Sequence, residues 1–210
     1  MKIGMILDAI YPSDARVTNE CEELIKNGHE VYLFCVSYQK NYIKSETINN
    51  IKVRRYYCSS LTYKLSALAN DFPLYSILMK SKIKDFVHKN NIDRMHVHDI
   101  QIAKAAFAIC KKYNLKYTLD LHENRHEIMK SYKHVNSFLG KLLISVKRWK
   151  KAEEKYVSKA EKVIVVTNQA KKEITERCKI SNENVVVYPN TVKKSFYQNK
   201  DYDQVLKKKY

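Results

Sequence analysis

The stretch Lys116–Glu127, KYTLDLHENRHE, decides the fold. Tyr117, Leu119 and Leu121 alternate with Thr118 and Asp120, the period-two pattern of a strand that pairs into a sheet. Five ionisable residues follow within six positions: His122, Glu123, Arg125, His126 and Glu127. In an α/β protein, ligands bind in the loops at the carboxyl ends of the strands. His122, the first residue past the strand, is therefore the expected chemical centre, and the other strand ends are its surroundings.

The same residues fit a competing pattern. His122-Glu123-Asn124-Arg125-His126 matches H-E-x-x-H, in which two histidines four apart on one helix face hold zinc and the Glu acts as base. That chemistry needs a helix under both histidines. Here His122 follows a strand with no room for a helix to have begun, and no clear third ligand presents itself. The expectation is no metal and no cofactor.

Outward from this stretch the chain reads strand, helix, strand. Lys2–Leu7 is a short apolar strand, Asp8–Arg16 a turn, and Val17–Lys26 a helix stopped by Asn27-Gly28. Val31–Val36 follows as a second strand, so the chain opens with a crossover long enough for a parallel pair. No G-x-G-x-x-G stands in the first turn. Arg16 and Asp14 read equally well as an anion site at a helix N-terminus and as a helix-start charge with an N-terminal cap. Ser37–Asn50 is polar and reads as loop, Ile51–Tyr57 as a strand, and Leu61–Asn70 is ambiguous. Phe72–Asn90 reads as a long helix with Leu74, Ile77, Leu78, Ile83, Phe86 and Val87 apolar.

Met95–Asp99 is a short strand ending in His98 and Asp99, either site residues or a hydrogen-bonded pair that caps the helix Ile102–Tyr113. Phe138–Tyr156 reads as one amphipathic helix with a stripe of Phe138, Leu142, Val146, Trp149 and Tyr156. Its basic face makes it a candidate for an anionic membrane surface, though a helix covering the sheet with solvated charges is the favoured reading. Lys162–Val166 is a buried strand, Thr167-Asn168 opens the helix Gln169–Cys178, and Asn184–Tyr188 is the last strand, followed by Pro189-Asn190. The fold class is thus α/β: a doubly wound, mostly parallel Rossmann-like sheet with helices on both faces.

Composition bounds the function. The 210 residues, 45% of them apolar, can bury a core, and three Gly and three Pro argue against disorder. Five Cys without C-x-x-C spacing read as free thiols in a reducing compartment. The N-terminus lacks a secretory-signal pattern and no run approaches the ~18 apolar residues of a membrane span, which points to a cytoplasmic protein, peripheral at most. The net charge of +17 suggests a polyanionic partner or a Lys-rich solvated surface. The basic residues look scattered and no nucleic-acid motif appears, so nucleic acid is not the expected partner.

Three segments together resemble the N-terminal half of a family 4 glycosyltransferase with the GT-B architecture. They are YPSDARVTNECEELIKNGHEVYLF (11–34), the pair HVHD (96–99) and LDLHE (119–123), and KVIVVTNQAKKEI (162–174) with NVVVYPNTV (184–192). The resemblance implies an acceptor-holding domain, residues 1–194, with residues 195–210 a polar linker toward a C-terminal donor-binding domain outside this sequence. It implies retaining transfer from a nucleotide-sugar to a lipid-linked or saccharide acceptor, without a metal, in polysaccharide or cell-envelope synthesis at the inner membrane face. The chain alone is then expected to be inactive. His122 matches the family's strand-end histidine at the reaction centre. Asp14, Arg16, His98, Asp99, Glu123, Thr167 and Asn190 are the candidate substrate-binding residues. The first-loop glycine pair is replaced by Asp14-Ala15-Arg16, and Thr191 stands where Gly is commoner. The alternatives are half of a GT-B nucleotide-sugar epimerase, or a basic anion- or nucleic-acid-binding module.

Overall fold

The computed structural model describes residues 1–190, with the backbone alone at residues 134 and 139. The expected linker, residues 195–210, lies outside the described residues. Eight strands form one sheet: β1 Lys2–Ile6, β2 Glu30–Ser37, β3 Ser45–Ile48, β4 Ile51–Tyr57, β5 Arg94–His98, β6 Lys116–Leu121, β7 Lys162–Val165 and β8 Val185–Val187. Their spatial order is β3-β4-β2-β1-β5-β6-β7-β8, and every neighbouring pair is parallel except β3 with β4. The order reverses at β1, which lies between β2 and β5; this switch point is where doubly wound sheets bind ligands.

Two apolar clusters sandwich the sheet. Helix α1, Ala15–Lys26, packs Val17 and Cys21 against Met5, Leu33 and Val53 on one face. On the other face lie α3 (Leu74–Asn90), α4 (Ile100–Tyr113), α8 (Val146–Val157) and α9 (Asn168–Cys178), around Phe34, Phe86, Met95 and Trp149. Short helices fill the connections: α2 Ser60–Ser66, α5 Arg125–Met129, α6 Lys133–Asn136 and α7 Phe138–Leu143. The Asn27-Gly28 stop holds, with Gly28 at φ 78°, the left-handed region that glycine enters freely. Cys21, Cys35, Cys58 and Cys110 are buried free thiols, and Cys178 is half-buried.

The structure corrects three expectations. Polar residues 37–50 contain β3, which returns antiparallel on β4 through Asn49 and Asn50, both at positive φ (48° and 64°). Asparagine tolerates the two left-handed positions of such a turn. The long helix expected over 138–156 is two helices. Ser145 stands between them in extended conformation, and its Oγ accepts a hydrogen bond from Arg148 N at 3.3 Å to start α8. The apolar stripe divides accordingly: Trp149 and Tyr156 are buried, while Phe138 and Leu142 are 86% and 70% exposed. In α3 the buried face is Tyr75, Met79, Ile83, Phe86 and Val87, and Leu74, Ile77 and Leu78 point outward.

Gly4 marks a close approach between β1 and the C-terminal end of α3. A Cβ there would lie 2.9 Å from Ile92 Cγ2 and 3.0 Å from Phe86 Cε1. Gly4→Val is expected to destabilise the fold by about 1–3 kcal/mol through overpacking. Urea unfolding would read this as a lower midpoint at unchanged slope.

Candidate functional site

Strand periodicity builds the site. Met5 of β1 stands in register with His96 of β5, and His96 and His98 stand beside Thr118 and Asp120 of β6. Side chains two apart share a face, so two histidines and a carboxylate line up under the side that α1 covers. α1 starts at Asp14, whose carboxylate accepts from Arg16 N at 3.0 Å and Val17 N at 3.2 Å. This cap aims the first turn at the strand ends. Arg16 then reaches across the switch point. Its Nη2 donates to Asp120, its Nε to Glu20 Oε1 at 3.1 Å, and its Nη1 to Asn190 Oδ1 at 3.1 Å.

Asp120 is fully buried. Its Oδ2 lies 3.2 Å from His122 Nε2, 3.4 Å from His98 Nδ1 and 3.7 Å from His96 Nε2. Burial pushes its carboxyl up, but the facing imidazoles of His122, His96 and His98 outweigh that and hold it well below the usual carboxylate range. Glu20 moves the other way, to about 7, because burial and the Asp120 charge outweigh His96 and Arg16. His98, wholly buried, is pulled down to about 4 by burial despite Asp120.

His122 is the member of this group that meets solvent. Its Nε2 lies 3.0 Å from His98 Nδ1 and 3.2 Å from Asp120 Oδ2. Burial lowers its pKa, but the Asp120 hydrogen bond and the charges of Asp99 and Asp120 overcome this, so the net shift is upward. An imidazole biased toward its charged form is a donor at both nitrogens. It opens on a cavity of about 390 Å³ lined also by Ser13, Asp14, Arg16, Asn19, Tyr188 and Asn190.

Of the residues singled out in the sequence, Asp14, Arg16, His122 and Asn190 line this cleft, and His98 stands directly behind His122. Asp99 turns the chain from β5 into α4 at φ 69°, ψ 150°, a backbone region costly for a non-glycine residue, and burial raises its carboxyl pKa. Glu123 faces Arg125, and Thr167 caps α9 by accepting from Ala170 N at 3.0 Å; neither lines the cleft. Asp120, Glu20 and His96 belong to the group and were missed. Asp120 carried little signal, since it shares the Thr118 face of an alternating strand, where a carboxylate reads as solvent-facing. The structure buries it, and a buried charge needs a partner; Arg16 is that partner.

A second polar group flanks the first at the same sheet end. Asp8, just past β1, accepts from Tyr75 Oη and from Gln101 Nε2 at 3.0 Å, and Arg125 donates to Gln101 Oε1 at 2.9 Å. Burial pushes Asp8 up to about 6 against both hydrogen bonds. Arg125 also borders a larger cavity of about 660 Å³, lined by Tyr63 and Lys64 of α2 with Met129, Tyr132 and Trp149.

The zinc pattern does not assemble. His126 lies in α5 with its Nδ1 3.5 Å from Glu153, while His122 precedes the helix and faces Asp120. Among the described residues, Glu20, His96, His98 and Asp120 each offer one ligand atom within 4.8 Å of the others and could hold a cation. Arg16 already places a guanidinium against both of those carboxylates.

A parallel sheet with this order, and a polar cleft at its switch point, define a Rossmann-like domain of the GT-B kind. The family described as Glycosyltransferase Family 4 matches residues 15–196, and the chain belongs to that family. By sequence, no curated protein matches it. Among solved structures it is similar to sucrose-phosphate synthase from Thermosynechococcus elongatus, at 14% identity and TM-score 0.67 over 90% of this chain and 48% of that one. It is similar to an E. coli protein described as trehalose-6-phosphate bound with UDP-2-fluoro glucose, at 11% identity and TM-score 0.59 over 92% and 49%. The apo lipopolysaccharide outer core galactosyltransferase WaaB matches at 17% identity and TM-score 0.55 over 91% and 46%. The chain spans about half the length of each.

Two measurements probe the buried group. Asp120→Ala leaves Arg16 and three histidines without their common partner and is expected to destabilise the fold by about 3–5 kcal/mol in urea unfolding. Acid titration separates out His98. Above pH 6.5 both folded and unfolded chains hold it neutral. As pH falls from 6.5 toward 4, the unfolded chain takes up a proton that the folded chain refuses, so stability is lost across that window, by at most about 3 kcal/mol. His98→Asn is expected to flatten that loss when unfolding is compared at pH 7 and pH 4.5, and equal losses would clear His98 of the effect.

Proposed function

We propose that this chain is the acceptor-side half of a retaining glycosyltransferase, moving a sugar from a nucleotide-sugar to a lipid-linked or saccharide acceptor. The observation that carries the reading is His122, held by Asp120 and His98 at the switch-point cleft of a family 4 domain. Its upward-shifted imidazole donates to a hydroxyl of the transferred sugar or to the departing phosphate. Asn190 and Tyr188, on the far wall, border the place where a donor-binding half would close over the cleft. Asp14 and Arg16 serve mainly by shaping the cleft, since a cap and a buried ion network already engage them. The larger cavity beside Arg125 is the acceptor's place. Asp8, raised to about 6 by burial, stands behind that cavity and is linked to it through Gln101 and Arg125. Coverage of half the length of the similar structures supports the requirement for a second domain, without which the chain is inactive. A cytoplasmic location facing cell-envelope intermediates fits this chemistry.

The test is transfer of labelled sugar from a panel of nucleotide-sugars to lipid and oligosaccharide acceptors, by the chain alone and by the chain joined to a donor-binding half. Transfer is expected only in the joined protein. His122→Ala is expected to lower it by about 100-fold or more, with the thermal midpoint unchanged. A fully active His122→Ala protein would remove His122 from the reaction centre.

A further inference from the structure

The apolar residues that the helical pattern assigned to the core, but that the structure leaves in solvent, gather in one region. Among the described residues, nine of the fourteen exposed large apolar side chains fall within 60–84 and 128–152. They include Leu61 and Tyr63 on α2, Leu74 and Ile77 on α3, and Phe138 and Leu142 on α7. A folded chain that exposes this much apolar surface in one place marks an interaction site.

The two segments belong to one surface. Asp71, at the start of α3, accepts from Ser145 N and Trp149 Nε1, both at 3.0 Å, and pairs with Arg148 at 3.4 Å. This ties α3 to the junction of α7 and α8. The 660 Å³ cavity lies between α2 and Trp149 of α8.

Charge identifies the occupant. These fifty residues hold eleven of the 39 Lys and Arg and only one of the 22 Asp and Glu, so they carry +10 of the chain's +17. The one acid is Asp71, whose side chain is buried under Arg148. An apolar protein partner would be served without so many cations, and a nucleic acid without exposed Phe and Leu. Apolar side chains in segments with so large an excess of lysine, of which Lys130 is paired with Glu127, match the boundary between acyl chains and anionic headgroups.

We propose that α2, the first turns of α3 and the α7–α8 junction form one docking surface for an anionic lipid bilayer, with Phe138 and Leu142 inserted. The surface adjoins the cavity assigned to the acceptor, so docking would place that cavity at the headgroup level. The binding itself does not rest on the transfer reaction, and its readout is independent of activity.

Sedimentation with vesicles tests it, comparing neutral phosphatidylcholine with a mixture containing phosphatidylglycerol. Partition into the anionic vesicles is expected to exceed that into neutral ones by at least about tenfold at low salt, and to fall as salt rises. Phe138→Ser with Leu142→Ser, at positions too exposed to support the core, is expected to reduce partition about tenfold or more at an unchanged thermal midpoint. Lys147→Glu with Lys150→Glu and Lys151→Glu is expected to abolish the preference for anionic lipid. Equal binding to both vesicles, or binding indifferent to the two serine substitutions, would overturn the proposal. So would a dimer in solution that those serines dissociate, because a second copy would then be what covers the patch.

Discussion

The interaction on which the structure depends is the buried pair of Arg16 and Asp120. It joins the first turn of α1 to the end of β6, across the point where the strand order reverses. A lone carboxylate at 0% exposure would be protonated or would prevent folding. Arg16 and three histidines keep it charged, and it in turn fixes the imidazole of His122. A pair of this kind is a poor source of net stability, because desolvation offsets most of the attraction. Its value lies in geometry: breaking it leaves uncompensated charge, so the alternatives to this arrangement of α1, β5 and β6 are all costly. The site and the crossover that makes the fold are held by the same atoms.

That economy explains why the fold was more legible than the site. Lys116–Leu121 was placed residue for residue, and β1, β2, β4, β5 and β7 within a residue or two, because alternation or a short apolar run bounded by polar residues marks each of them. His122 was legible as a strand-end residue. Its supports were not. Glu20 sits in the middle of α1, where a carboxylate looks like any solvated helix charge, and only tertiary packing turns it inward. Arg16 had two even readings, an anion site and a helix-start charge. The structure gives a third, in which the guanidinium reaches 104 residues along the chain to a partner that no local pattern could name. The edge strand β3 was hidden because SETI carries few apolar residues and its turn is Asn-Asn without glycine.

The polar row beneath α1 also sets the electrical character of the cleft. Its formal charges nearly cancel: two carboxylates, one ionised and one raised to about 7, face one guanidinium and three imidazoles. Of that row, His122 and Arg16 line the cleft, with Asp14 beside them, while the buried carboxylates of Glu20 and Asp120 lie behind. Preorganised donors of this sort act where charge develops, since they need no reorganisation when it appears. Under the proposed reading, charge developing in the cleft would meet a His122 ring already oriented by folding.

The errors in the helical reading carry as much information as the successes. Periodicity assumes that an apolar side chain on a helix seeks the core, and for Trp149, Tyr156, Met79, Ile83 and Phe86 it does. It fails for Phe138, Leu142, Leu74 and Ile77, which lie in the two segments where acidic residues are almost missing. A surface kept soluble by charge ordinarily mixes both signs. Here apolar exposure and an excess of positive charge coincide, and the α7–α8 break is what makes the coincidence possible. One continuous helix would have turned Phe138 and Leu142 onto the same face as Trp149 and buried them. By starting a new helix at Ser145, the chain anchors Trp149 in the core through Asp71 and leaves the preceding turn free to present its apolar residues outward.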